Sequence, residues 1–154
     1  MSAARPPGLP KPSGQTLGFM QQLWELSHAL QVTSKRMART LGVTGPQRLV
    51  LRVVGQVPQI TARDLAATLG LHPSTLTGVL VRLERQRFLE RSVDPSDRRR
   101  ARFELTARGR RVDRDRKGTV EAAVRRALGR AEVATVTHTQ RMIALLVAEL
   151  GRGE

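Results

Sequence analysis

Apolar side chains recur at steps of three and four residues over most of the chain, the spacing of helices that bury one face. The first such run extends from Thr16 to about Thr40, and two further long runs cover residues 107–128 and 132–150. Shorter helical patterns and one stretch of alternating polarity lie between them. The pattern predicts a mainly α-helical chain in the order helix, helix, helix, helix, hairpin, helix, helix.

The short helices carry recognisable start signals. Thr44 precedes the second helix with Gln47 three residues later, which is a capping box, and Thr61 with Asp64 repeats the device. A glycine ends the third helix. Pro73 follows only two residues after that glycine, and the first turn of a fourth helix is where proline fits best.

The fourth helix divides into an apolar and a polar face. Helical spacing groups four apolar side chains on the inner face: Leu76, Val79, Leu80 and Leu83. The other face carries Ser74, Thr77, Gly78, Val81, Arg82 and Arg85, mostly small hydroxyls and arginines, with Thr75 at its margin. Two short helices joined by a tight turn, the second presenting such a face, are typical of a helix-turn-helix.

Two short strand patterns, FLERSV and ARFEL, follow the fourth helix and are joined by DPSDRRR. A β-hairpin in this position is a wing, and its thin tip fits the DNA minor groove. We expect Arg98, Arg99 and Arg100 at the tip to be drawn to that negative groove. Asp97 can hold a guanidinium in place and brace the turn, which lowers the entropy lost on binding. The alternative is a solvated loop whose charges only aid solubility.

The charge balance strengthens the case for a polyanionic partner. The 154 residues contain 27 Lys and Arg against 13 Asp and Glu, a net charge of +14. A genome that prefers arginine explains why only three of the cations are lysine, but not the excess of cations over acids. The length fits one domain with a core of Leu, Val and Ala, since aromatic residues make up only 3%.

Several kinds of chemistry are disfavoured. The chain has no cysteine, which excludes disulfides, cysteine-ligated zinc and thiol redox sensing. The three histidines, His28, His72 and His138, lie on different elements, so we expect no metal and no cofactor. No phosphate-binding or nucleophile motif appears, and we expect a non-enzyme.

Residues 1–15, rich in Pro and Gly, predict a disordered arm rather than a signal peptide. With no apolar run long enough to span a membrane, a cytoplasmic location is expected.

The run STLTGVLVRLERQRFLERSVDPSDRRRARFELTARG, and above all D-R-R before L-T-x-x-G, resembles the MarR family of bacterial transcriptional regulators. The resemblance covers roughly residues 16–150. It implies a winged helix-turn-helix over 44–106, with 16–41 and 107–150 as dimerisation helices of a single domain (16–154).

This resemblance also implies function. Such a homodimer binds double-stranded DNA at a pseudo-palindromic operator, usually represses, and in many members is released by a small-molecule effector. By position, Asp97 corresponds to the wing acid and Arg99 to the minor-groove arginine. The recognition surface corresponds to Ser74, Thr75, Thr77 and Arg82.

The chain departs from the family pattern in places. Position 78 is Gly where relatives often carry arginine, and the N-cap before Pro73 is His72, a weaker cap than Ser or Asp. No asparagine is present, so adenine is not read by an Asn fork. Trp24 and His28 on the first helix are candidates for an effector pocket, with ordinary core or interface packing as the alternative.

Serine and threonine contacts discriminate weakly between bases, so two linked copies would be needed for useful specificity. The terminal helices carry more apolar side chains than a small winged domain could cover, which favours a homodimer over packing within one chain. Two rival functions remain open: a nonspecific or architectural nucleic-acid binder driven by charge, and a helical interaction module without nucleic acid.

Overall fold

The computed structural model describes residues 14–152 of the chain. The predicted class is confirmed: the chain is mainly helical, with a small antiparallel sheet after a helix-turn-helix. The predicted arm lies largely outside the described residues, and the first helix begins one residue earlier than expected. The elements are α1 (Gln15–Thr40), α2 (Gly45–Gln56), β1 (Ile60–Thr61), α3 (Ala62–Leu69), α4 (Pro73–Arg85), β2 (Leu89–Val93), β3 (Ala101–Leu105), α5 (Ala107–Arg114), α6 (Val120–Leu128) and α7 (Val133–Gly151).

The sheet has the strand order β1-β3-β2, and both pairings are antiparallel. Strands β2 and β3 form the predicted hairpin, with Leu89 opposite Leu105. Strand β1 was not predicted, because two residues are too short for an alternating pattern to show. It pairs Ile60 with Phe103 and Thr61 with Arg102, and it thereby ties the start of α3 to the base of the wing.

The capping predictions are confirmed for α2 and modified for α3. Thr44 Oγ1 accepts from the Gln47 N–H at 3.4 Å, while Gln47 Oε1 accepts from the Thr44 N–H at 2.9 Å. Thr61 Oγ1 accepts from the Asp64 N–H at 3.2 Å, but it also donates to the Asp64 carboxylate at 2.7 Å. Asp64 therefore reciprocates through the hydroxyl instead of the backbone N–H. Gly70 ends α3 in the left-handed region, with φ 61°.

The core lies between the helix-turn-helix and the sheet. Leu76, Leu80 and Leu83 point inward from α4 as predicted and are buried, while Val79 is half-buried at the edge of the core. They pack in one cluster with apolar side chains from α2, α3, β1 and the hairpin: Val50, Leu51, Val54, Ile60, Leu65, Phe88, Leu89, Phe103 and Leu105. This shared core fixes the polar face of α4 relative to the wing.

The predicted single helix over 107–128 is wrong. The chain stops at Arg114, turns, and begins α6 at Val120, so the described residues hold seven helices where six were expected. Asp115 is extended and Gly118 has φ 70°, a left-handed conformation that glycine adopts without strain. Thr119 then caps α6, its Oγ1 accepting from the Ala122 N–H at 3.2 Å. The segment DRKGT contains these helix-ending signals, which the apolar periodicity had concealed.

The long terminal helices leave much apolar surface uncovered in one copy of the chain. Trp24 on α1 is 68% exposed, and Val133 and Leu150 on α7 are 83% and 77% exposed. Within residues 14–152 no helix combines the length and apolarity that crossing a bilayer requires. These exposed faces are therefore unexplained by packing within the subunit.

Two glycines in helices test the packing directly. A Cβ on buried Gly109 would collide with the Phe88 backbone carbonyl, whereas a Cβ on Gly78 of α4 would meet open space. We expect Gly109→Ala to lower the free energy of unfolding by about 2 kcal/mol or more, as overpacking does. Gly78→Ala should raise it by about 0.5–1 kcal/mol, because alanine restricts the unfolded chain and favours helix. Urea unfolding measures both, and a Gly109→Ala variant as stable as the parent would contradict the packing described.

Candidate nucleic-acid interface

The outer face of α4 is exposed along its length, as the helical spacing predicted. Four predicted contact residues lie there, namely Ser74, Thr75, Thr77 and Arg82, and all are exposed. Pro73 occupies the first helical turn, and His72 caps it through Nδ1, which accepts from the Ser74 N–H at 3.3 Å. The substitute cap therefore works, although through an imidazole rather than a hydroxyl or carboxylate.

Two of the hydroxyls on this face are already engaged within the helix start. Thr77 Oγ1 donates to the Pro73 carbonyl at 2.8 Å, and Ser74 Oγ lies 2.7 Å from His72 Nδ1. A hydroxyl has one proton and two lone pairs, so Thr77 offers an incoming base mainly an acceptor. Arg82, further along the helix, is exposed, and its planar fork suits guanine or phosphate.

The wing tip is a braced turn. The Asp94 N–H donates to the Arg100 carbonyl at 2.9 Å, and the Arg100 N–H donates to the Asp97 carbonyl at 2.9 Å. These bonds close residues 94–100 above the hairpin while Arg98, Arg99 and Arg100 stay exposed. The tip therefore projects three cations into solvent from a fixed backbone.

Asp97 lies among these arginines as the sequence suggested. Its Oδ1 accepts from the Arg99 backbone N–H at 3.0 Å and lies 3.5 Å from Arg99 Nε. Its Oδ2 lies 3.3 Å from Arg100 Nε. Exposed ion pairs contribute little to stability; what this carboxylate supplies is turn geometry and arginine orientation. The Arg99 side chain remains 93% exposed and open to a partner.

Asp94 is a structural anchor of the wing that the sequence reading missed. Its carboxylate is buried and accepts from the Ser96 N–H at 2.9 Å and from Ser96 Oγ at 2.7 Å. Arg102 on β3 pairs with it at 2.9 Å. Ser96 and then Arg102 lower the pKa of Asp94 from 3.8 to about 2, against the opposing effect of burial. The D-x-S spacing of an Asx turn was the available signal.

A polar cleft of about 460 Å³ connects the wing tip to the start of α3. It is lined by Thr61, Arg63, Asp64, Arg99 and Arg100, among others. Arg63 was absent from the predicted site. Arg63 lies beside the wing because β1 pairs with the wing strand β3 and so holds the start of α3 against it. The basic surface thus continues from the wing onto the first helix of the helix-turn-helix.

Trp24 and His28 both lie exposed on α1. Neither lines the polar cleft described above, nor a second, mainly apolar cleft between α3 and the start of α4. Their part in an effector pocket stays a prediction.

Comparison with known proteins agrees with this geometry. The model of the MarR family matches residues 41–100, from the end of α1 to the wing tip. The HTH-type transcriptional repressor Rv2887 of Mycobacterium tuberculosis is 28% identical over 130 residues, or 84% of this chain and 92% of that protein. The uncharacterized HTH-type transcriptional regulator YsmB of Bacillus subtilis is 24% identical over 102 residues, or 66% of this chain and 70% of its own.

Solved structures share the fold. The MepR protein of S. aureus, crystallised with DNA, superposes with a TM-score of 0.70 at 19% identity, over 86% of this chain and 97% of that chain. The PcaV regulator of Streptomyces coelicolor, solved with its natural ligand, gives 0.71 at 23% identity, over 90% and 98%.

The anchoring of the wing predicts a pH dependence. The folded pKa of Asp94 is depressed, so its stabilising effect is complete above the ordinary value of 3.8 and is lost as pH falls through about 2. We expect Asp94→Asn to have a lower free energy of unfolding than the parent at neutral pH. The difference should shrink as pH falls from 3.8 towards about 2. Ser96→Ala, which removes one donor, should show a smaller gap over the same window. Chemical unfolding from about pH 5 to pH 2 measures these differences in the free energy of unfolding. A difference that does not change with pH would contradict the stabilising role of the Asp94 carboxylate.

Proposed function

We propose that this chain is a transcriptional regulator of the MarR family, whose model matches residues 41–100, and that it binds a pseudo-palindromic DNA operator as a homodimer and represses transcription there. The observation that carries the proposal is that α4 and the wing tip are both exposed and are held together by one core. Relatives named as repressors support the sign of regulation. We place the protein in the cytoplasm, beside its DNA, and assign it no catalytic role.

Binding follows from groove geometry. The major groove, about 12 Å wide, admits a helix, and α4 presents Ser74, Thr75, Thr77 and Arg82 to it. The narrow minor groove carries strong negative potential that attracts arginine, and Arg98, Arg99 and Arg100 would enter it from the wing. Asp97 orients two of these arginines before DNA arrives, so less side-chain entropy is lost on binding.

Dimerisation is supported by the uncovered apolar faces of α1, α6 and α7. Large exposed apolar patches mark interaction surfaces. Their large apolar side chains include Leu17, Trp24, Leu26 and Leu30 on α1, Val124 and Leu128 on α6, and Val133, Ile143, Leu145, Val147 and Leu150 on α7. A twofold pairing through these faces would place two α4 helices on one side of the assembly, as a palindrome requires.

We also propose that a small-molecule effector releases the DNA by binding beside Trp24 and His28 in the assembled dimer. One solved neighbour, PcaV, is described with its natural ligand. Trp24 is the only tryptophan in the chain, so its fluorescence reports occupancy of that site directly.

A nonspecific architectural binder is the alternative, favoured by the net charge of +14. Footprinting of the purified protein on DNA from its own genome separates the two functions. Protection of a short inverted repeat at nanomolar protein supports the regulator, whereas uniform coverage at all sequences supports the alternative. No binding to any duplex would overturn both.

The wing gives the first prediction for binding. Arg99→Ala should weaken operator binding about tenfold or more at fixed salt, because each dimer loses two guanidinium groups at the minor groove. The dimer should persist, since Arg99 is exposed at the tip of the wing and does not belong to the terminal helices. Titration by fluorescence anisotropy and light scattering test the two parts. Arg130→Ala, in the turn between α6 and α7, is the matched control and should bind as the parent does.

The cleft between α3 and the wing gives the second prediction. An arginine that meets a phosphate displaces counterions, so the slope of log K against log[salt] depends on how many such contacts form. Arg63→Ala should reduce the magnitude of that slope by about 2, one contact per subunit, and weaken all sequences alike. A slope equal to that of the parent would remove Arg63 from the interface.

A further inference from the structure

One arginine of α2 is buried deep inside the subunit. Arg48 is 1% exposed, although it carries a permanent charge. A buried charge is tolerated only when it is paired and fully hydrogen-bonded. Arg48 meets this requirement with partners that lie more than sixty residues away, at the break between α5 and α6. The proposed DNA interface does not use this side chain.

The guanidinium of Arg48 holds both ends of that break. On one side its Nη atoms donate to the carbonyls of Val112, Asp113 and Asp115, at 3.0 Å for Asp113 and 2.7 Å for Asp115. These carbonyls lie at the end of α5, where the regular i+4 helical donors are missing; Val112 also accepts from the Asp115 N–H at 3.2 Å. On the other side Nε donates to Glu121 Oε1 at 2.7 Å, in the first turn of α6. One side chain thus joins the end of one helix to the start of the next.

A second arginine strengthens the joint. Arg52 lies one turn further along α2, and its Nη1 donates to Asp113 Oδ1 at 2.7 Å. The backbone of the turn is also ordered from within: the Lys117 N–H donates to Asp115 Oδ1 at 3.0 Å, and Thr119 Oγ1 donates to the Arg116 carbonyl at 2.9 Å. The break is therefore a fixed elbow and its angle is set by side chains of α2.

The elbow connects two parts of the molecule with different tasks. Helix α2 packs against α3, α4 and β3 of the DNA-reading part and also against α1, so it lies between that part and the proposed dimer interface. Helix α6 contacts α1 and leads into α7, whose apolar face is uncovered. The elbow is thus a second connection between these parts, beside the packing of α2 on α1, and a change of its angle would shift α6 and α7 relative to the reading surface.

We propose that the Arg48–Glu121 pair fixes the separation and orientation of the two α4 helices in the dimer and thereby selects the spacing between operator half-sites. This inference rests on the proposed function. Each added base pair moves a half-site by about 3.4 Å along the DNA and rotates it by about 34°. A rigid elbow tolerates only one spacing, while a loose elbow accommodates several.

An ion pair suits this task better than apolar packing does. A buried pair contributes little net stability compared with apolar residues of the same volume. Its hydrogen bonds are directional, however, and the planar fork of arginine admits few arrangements of its acceptors. Apolar side chains could slide past one another and would hold α6 at a range of angles.

The test measures affinity for a series of operators whose half-sites are separated by the natural distance or by one or two base pairs more or fewer. Glu121→Gln keeps the shape of the side chain and removes its charge. We expect its preference for the natural spacing over a shift of one base pair to fall about tenfold, the scale of one charge-assisted hydrogen bond. Glu90→Gln, the same change on the exposed face of β2, is the control and should keep the preference of the parent.

A second measurement does not depend on DNA. Because the chain has no cysteine, Ala67→Cys on α3 places one spin label on each subunit. The distance between the two labels in the free dimer, measured by electron–electron dipolar coupling, should be narrowly distributed in the parent and broadened by Glu121→Gln. If Glu121→Gln does not form a folded dimer, Arg52→Gln must show the same broadening.

The outcomes separate the two proposals. A sharp distance distribution and an unchanged spacing preference in a folded, DNA-binding Glu121→Gln dimer would overturn the role of the elbow alone. A parent protein that gives no dipolar coupling, or that binds no inverted repeat, would overturn the proposed function and the elbow's role together.

Discussion

The pairing of arginines with carboxylates decides where the excess positive charge of this chain lies. With 27 cations against 13 acids, many cations must remain without an acidic partner. Four of the thirteen acids pair with arginines at points that set the geometry: Glu121 and Asp113 at the elbow, Asp94 at the base of the wing turn and Asp97 at its tip. Most other arginines within residues 14–152 are exposed, and exposed guanidinium groups without an acidic partner attract a phosphate backbone.

Burial separates two uses of the same ion pair. Arg48 with Glu121 and Arg102 with Asp94 each involve a side chain withdrawn from water, so breaking either pair would leave an uncompensated charge and disturb the fold. The pairs of Asp97 are exposed and contribute little to stability. They can therefore be exchanged for contacts to DNA without cost to the fold. The buried pair of Asp94 therefore keeps the base of the hairpin rigid, while the exposed pairs of Asp97 leave the arginines at its tip available to a partner.

Local signals in the sequence predicted local structure well. The capping box of Thr44 and Gln47, the inner face of α4 and the two strands of the wing are all set by residues within one or two turns of each other.

The elbow was not predicted, for two reasons. Its helix-ending residues lie inside an otherwise helical run, and Arg48 sits in a run, RLVLRVV, where an arginine suggests a surface position. Its partner Glu121 is 73 residues away, and only the tertiary fold brings the two together. Arg63 was missed similarly, because the two-residue strand β1 that positions it is too short to show a pattern.

In the proposed complex, two subunits straddle a duplex, with α4 in the major groove and the wing in the minor groove. A crystal structure of the protein with the inverted repeat that it protects tests this most directly. We expect two α4 helices in successive major grooves on one face of the DNA, about 34 Å apart, with Arg98–Arg100 of each subunit inside the flanking minor grooves. A complex in which the wing tips point away from the DNA, or in which a single subunit binds alone through another surface, would contradict it.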